Sequence, residues 1–68
     1  MRFDIYGRFQ IEVHRKNGAW AVYRLAPGTR ALLDDVIIPA SVAADEIPTY
    51  LDDIFHELAG PGDEVRAI

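Results

Sequence analysis

The chain has 68 residues, half of them hydrophobic, with a formal net charge of -4 and no cysteine. That length makes one small domain that buries only about 60% of its unfolded surface, and the apolar content excludes a disordered chain. The lack of cysteine excludes a disulfide framework, a cysteine nucleophile and Cys-ligated zinc; with no apolar leader and no run near the ~20 residues that span a bilayer, the expected location is the cytoplasm.

The first element has period two. Phe3, Ile5, Phe9, Ile11 and Val13 occupy odd positions; Arg2, Asp4, Tyr6, Arg8, Gln10, Glu12 and His14 occupy even ones. This is β patterning. The parity passes through Gly7 unchanged, which predicts one long strand, residues 2–15, bent at the glycine; a short strand and a turn at Gly7-Arg8 is the alternative. Lys16-Asn17-Gly18 ends the strand and opens a hairpin to a second strand, residues 19–25. A two-residue turn would set Val13 against Val22, and a three-residue loop would set it against Ala21. The second register is preferred, because the first puts Arg24 beside Ile11 in the core. It sends Trp20 and Val22 to the face away from the core, with Tyr6, Glu12 and His14.

Pro27-Gly28 is a turn signal, followed by a short strand at about residues 30–38 that Asp34-Asp35 interrupts and Pro39 stops. Val36-Ile37-Ile38 reads as further strand or as an extended segment tucked under a helix. The helix is expected at about residues 45–59. Asp45 suits its N-cap, with a start at Thr49 as the competing boundary, and Ile47, Leu51, Ile54, Phe55 and Leu58 form one apolar stripe. Asp52, Asp53, His56 and Glu57 fall on the solvent side. Gly60-Pro61-Gly62 stops the helix, leaving residues 60–68 as a tail in which 64–68 is an edge strand or a loose end. The fold class is α+β: a single domain with an antiparallel β-meander of three to four strands and one C-terminal amphipathic helix packed on one face.

Catalytic signatures are missing. There is no glycine-rich phosphate loop and no G-x-S-x-G, and His56-Glu57 begins an H-E-x-x-H motif that Gly60 ends. His56 with Asp52 or Asp53 reads as a solvated helix face, so no metal, no cofactor and no catalytic residue is expected, and the chain is not read as an enzyme. The charge is lopsided: six of the seven basic residues lie by Arg30, and every acid except Asp4 and Glu12 lies from Asp34 onward. Scattered arginines beside an acidic helix argue against nucleic acid. One helix covers only one face of a sheet. The candidate interaction surface is therefore the uncovered face with Tyr6, Trp20 and Val22, or the helix acids Asp52, Asp53 and Glu57; the bland alternative is that the sheet curls and buries Trp20 and its neighbours. The expected function is a small non-enzymatic interaction domain that self-associates as a homodimer or binds another protein. Two alternatives stay open: an antitoxin-like neutraliser of a small basic protein, and a small enzyme or ligand-binding domain with a concave site near His14 or His56.

The segments "RFDIYGRFQIEV", "KNGAWAVYRL", "VIIP" and "YLDDIFHELAGPGDEV" resemble a family of small uncharacterised bacterial proteins, a domain of unknown function. That resemblance implies a bacterial cytoplasmic protein and carries no functional residue. The order β–β–β–α, with "KNGAWAVYRLAPG" in the hairpin, is also similar in topology to the N-terminal domain of HicB-type antitoxins, which neutralises a small basic toxin and often self-associates. Thr29 stands where that family's usual "PGC" step has cysteine, and its DNA-binding extension has no counterpart here.

Overall fold

A computed structural model describes residues 1–68. Four strands form a meander: β1 (Arg2–Ile5), β2 (Phe9–Lys16), β3 (Ala19–Ala26) and β4 (Thr29–Leu32). A 3-10 turn (Ala44–Glu46), helix α1 (Ile47–Phe55) and a second 3-10 turn (His56–Leu58) make one helical segment, and β5 (Val65–Ala67) follows. The sheet order is β4-β3-β2-β1-β5 with every neighbour antiparallel. The α+β class and the single helix against one face are as expected. The sheet has five strands instead of three to four, and the helix is not C-terminal, because β5 returns to pair with β1.

The expected long strand over residues 2–15 is instead a hairpin. Ile5 lies opposite Phe9, so Tyr6, Gly7 and Arg8 form a three-residue loop. An odd-numbered loop keeps odd residues opposite odd ones, which is why the parity passed through Gly7 unbroken. Tyr6 and Gly7 adopt φ of 56° and 70°. The Gly7 N–H donates to Asp4 Oδ2 at 2.9 Å, and the Arg8 N–H donates to the Ile5 carbonyl at 2.9 Å. Asp4 followed three residues later by glycine is the local signal for this turn.

The second hairpin takes the register that sequence reasoning disfavoured. Val13 pairs with Val22 and Lys16 with Ala19, leaving the two-residue loop Asn17-Gly18. Both loop residues have positive φ, 54° and 78°, as a type I′ turn requires. The price feared for this register, Arg24 beside Ile11, is avoided at the edge of the core: Arg24 is exposed and its guanidinium lies 4.6 Å over the Phe9 ring. A one-residue change of register reverses every side chain. Trp20 and Val22 therefore face the helix side, and Ala21, Tyr23 and Leu25 face the open side.

The core lies between that covered face and α1. Ile5, Ile11, Val13, Val22, Ile47 and Leu51 are fully buried. The helix seam is Ile47, Leu51 and the half-buried Phe55, whose ring meets Phe9 edge-on at 5.4 Å. Ile54 and Leu58, expected in the apolar stripe, are 36% and 45% exposed, because Ile54 is rotated off the Ile47–Leu51–Phe55 seam and Leu58 lies in the 3-10 turn beyond the helix. Asp45 is not the N-cap: the helical segment starts one residue earlier, and Glu46 Oε1 accepts the Ala43 N–H at 3.0 Å. The strand expected at about residues 30–38 ends at Leu32. Asp34-Asp35 turns the chain, and in the connection that follows Ile38 is buried in the core, with Val36 and Val42 packed partly against it. The connection into the helix is gripped by β2 and β3. Trp20 Nε1 donates to the Val42 carbonyl at 3.0 Å, and Arg15, stacked 4.0 Å over Trp20, donates to the Ala40 carbonyl at 2.9 Å. No helix is long and apolar enough to cross a membrane.

Candidate functional site

The expected sheet-face surface is placed inside the protein. Val22 is 1% exposed and Tyr6 7%. Trp20 is half-buried over the incoming connection. For Trp20 and Val22 the cause is the register of the Asn17-Gly18 hairpin. Tyr6 leaves the strand altogether: it sits in the β1–β2 loop and reaches the helix, where its hydroxyl donates to the Asp52 carboxylate and to the Asp52 carbonyl at 3.2 Å. Burial, with the Asp52 carboxylate beside it, pushes the Tyr6 phenol up to about 12. Of the helix acids, Asp52 is thus engaged with the core, while Asp53 and Glu57 are exposed beside Ile54 and Leu58.

No second layer covers the other face of the sheet. Strand alternation places Arg2 and Asp4 of β1 there, with Gln10, Glu12, His14 and Lys16 of β2. Ala19, Ala21, Tyr23 and Leu25 of β3, Arg30 and Leu32 of β4 and Arg66 of β5 complete it. Glu12 is the centre. Its side chain is 12% exposed, shielded by its neighbours on this otherwise open face. Arg30 Nη1 donates to Oε2 at 2.8 Å, His14 Nε2 lies 3.2 Å from the same oxygen, and Arg2 Nε makes a longer contact of 3.4 Å with Oε1. The hydrogen bonds from Arg30 and then from His14 hold the Glu12 carboxyl down to about 2. Tyr23, directly opposite Glu12 in register, takes the Arg30 guanidinium 4.5 Å above its ring and the His14 ring at 6.2 Å. One carboxylate thus ties side chains of β1, β2 and β4 together across the tyrosine of β3.

Beside this cluster, toward Pro27, runs a shallow groove of about 740 Å³, lined among others by Arg2, Gln10, Glu12, Leu25, Pro27 and Arg30. Leu32, 58% exposed, stands opposite Tyr23 on the edge strand. The face is net positive: Arg2, Lys16 and Arg30 outnumber Asp4 and Glu12, while Arg66 is paired with Glu64 at 2.9 Å, on a chain of net charge -4. Sequence reasoning saw the even-numbered polar residues of β2 but missed their partners, because Tyr23 and Arg30 join them only in the observed register.

His14 and His56 lie on different surfaces. His56 sits at the helix end with Nδ1 2.7 Å from the Asp53 carbonyl, on the main chain, not the carboxylate. No three His, Asp or Glu side chains come together as a metal cluster. The arrangement offers fixed guanidinium donors, an aromatic platform and a small apolar floor.

No curated protein and no solved structure matches the chain. A family model described as "Domain of unknown function (DUF7661)" matches residues 1–68, the whole length, and the chain belongs to that family.

Proposed function

We propose that this protein is a small non-enzymatic protein-interaction domain of the bacterial cytoplasm, and that it meets its partner with the helix-free face of its sheet. One observation carries the reading. A single helix covers one face, while the other presents an ordered Arg2–Glu12–Arg30–Tyr23 cluster beside the exposed Leu32. Fixed arginines and aromatic side chains are enriched at protein interfaces, since little freedom is lost when they are covered. The positive charge of this face disfavours stacking two copies of it, so a different protein suits it better than a sheet-to-sheet homodimer.

A second reading uses the helix. Asp53 and Glu57 flank the exposed Ile54 and Leu58, an apolar strip with an acidic rim that suits a basic partner. The antitoxin-like neutraliser, with its topological likeness to HicB-type antitoxins, belongs to this reading.

A photo-crosslinkable residue at position 32 or position 54, in cells making the protein at its native level, separates the two. The sheet-face reading expects an adduct with a second protein from position 32 and none from 54. The reverse pattern favours the helix, and an adduct of twice the chain's mass from position 32 indicates a homodimer.

A further inference from the structure

We propose that the groove at the Pro27 end of the uncovered face binds an acidic segment of a partner protein. One carboxylate of that segment is held between Arg2 and Arg30, and an apolar neighbour lies over Leu25 and Pro27. The inference rests on the sheet-face reading and adds the chemistry of the occupant.

Two guanidinium groups from β1 and β4, strands separated by β2 and β3, converge on opposite oxygens of the one Glu12 carboxylate. Each engages Glu12 through a single nitrogen, and both line the groove. The rest of each guanidinium fork is available for another oxyanion, and one carboxylate cannot neutralise two arginines. Arg30 is already fixed between Glu12 and the Tyr23 ring, so binding costs it little further freedom. The half-buried Leu25, with Pro27, supplies an apolar floor next to these donors.

The rest of the molecule selects the sign of the partner. Every acid outside Asp4 and Glu12 lies from Asp34 onward, beyond the four-strand meander. Asp45, Glu46, Asp53 and Glu57 are exposed on the helical segment, so an acidic segment is repelled there and drawn to Arg2 and Arg30. The sheet edge beside the groove is also open. All four residues of β4 are exposed, and β4 is the last strand in the order. The Leu33 N–H donates to the Val22 carbonyl at 2.8 Å, which fixes the phase of the ladder. In that phase the main-chain groups of Arg30 and Leu32 point to the free edge. An extended segment whose carboxylate sits in the groove between Arg2 and Arg30 can run on along this edge as a further strand.

The test is an amide chemical-shift titration of the full chain with a soluble peptide in which Glu alternates with Val and Thr. A counterpart with Gln for each Glu and an oligouridylate serve as the other probes. The expected shifts are confined to the amides around Gln10, Leu25, Thr29, Arg30 and Leu32. The Gln peptide should bind about tenfold or more weakly, and Arg2→Gln with Arg30→Gln should weaken the Glu peptide by a similar factor while the free spectrum stays folded. Equal binding of the Gln peptide, tighter binding of the oligouridylate, or shifts centred on the helix would overturn the proposal. So would line broadening that grows with protein concentration alone, since the groove would then be filled by a second copy. The crosslink from position 32 is read separately. An adduct there without a Glu preference rejects the acidic occupant and keeps the sheet-face reading, whereas neither adduct nor peptide binding rejects both.

Discussion

The two faces of the sheet are built from the same strands by different means. On the covered face, Ile5, Ile11, Val13 and Val22 close against Ile47 and Leu51, each fully buried side chain contributing about 1.5–3 kcal/mol. On the open face, Glu12 gathers Arg2, His14 and Arg30, but those three partners are roughly half or more exposed, and such surface pairs are worth about 0–1 kcal/mol each. The first face holds the fold together. The second is ordered without being needed for stability to the same degree, as the proposed role in recognition requires.

The contrast is broken most sharply at the centre of the covered face. Leu51→Ala or Ile47→Ala should cost about 2–5 kcal/mol, a large part of the margin of so small a domain, measured by urea unfolding. Tyr6→Phe should cost about 1–2 kcal/mol, since it removes the donor to Asp52 that ties the β1–β2 loop to the helix. The pH dependence sharpens this point. The folded state raises the Tyr6 phenol from 10 to about 12. Its contribution is therefore complete below pH 10 and is lost as pH rises through about 12. Tyr6→Phe should reduce that alkaline loss in unfolding curves recorded across this range.

At the rim of the core, Ile54→Ala should cost about 1–2 kcal/mol, less than Leu51→Ala because the residue is 36% exposed; a loss as large as that of Leu51→Ala would mean that the helix seats differently. The smallest effect belongs to the open face. The folded state lowers the Glu12 carboxyl from 4.5 to about 2. Its contribution is present above pH 4.5 and lost as pH falls toward 2. Glu12→Gln should lower neutral-pH stability by much less than Leu51→Ala, since the partners are exposed, and should flatten the acid limb of the stability profile, where the variant and the wild type converge.

Much of this fold was legible in the sequence. The β character of Phe3 to Val13, a hairpin at Asn17-Gly18, the turn at Pro27-Gly28 and the helix carrying Ile47 and Leu51 are all present in the structure. Two features were hidden because different turns share one pattern. A three-residue loop at Tyr6-Gly7-Arg8 preserves the same parity as an unbroken strand, so periodicity cannot separate them. At the second hairpin, keeping Arg24 away from Ile11 favours a three-residue loop, but the intrinsic preference of Asn-Gly for a two-residue turn prevails. Arg24 made that preference affordable by lying over Phe9 at the core's edge. The candidate site depends on the same register. Trp20 and Val22 were assigned to the open face that Tyr23 and Leu25 occupy, and Arg30 could join Glu12 only once β4 was placed beside β3.

The central claim is that recognition lives on the face the helix leaves bare. Its most direct test is to capture the partner with wild-type protein and compare retention by two double variants, each shown to be folded by its amide spectrum. One carries Tyr23→Ser and Leu32→Ser on the open face; the other carries Asp53→Asn and Glu57→Gln on the helix. Loss of the partner by the first and retention by the second is the predicted result. Retention by the first and loss by the second would contradict the account and move the working surface to the helix.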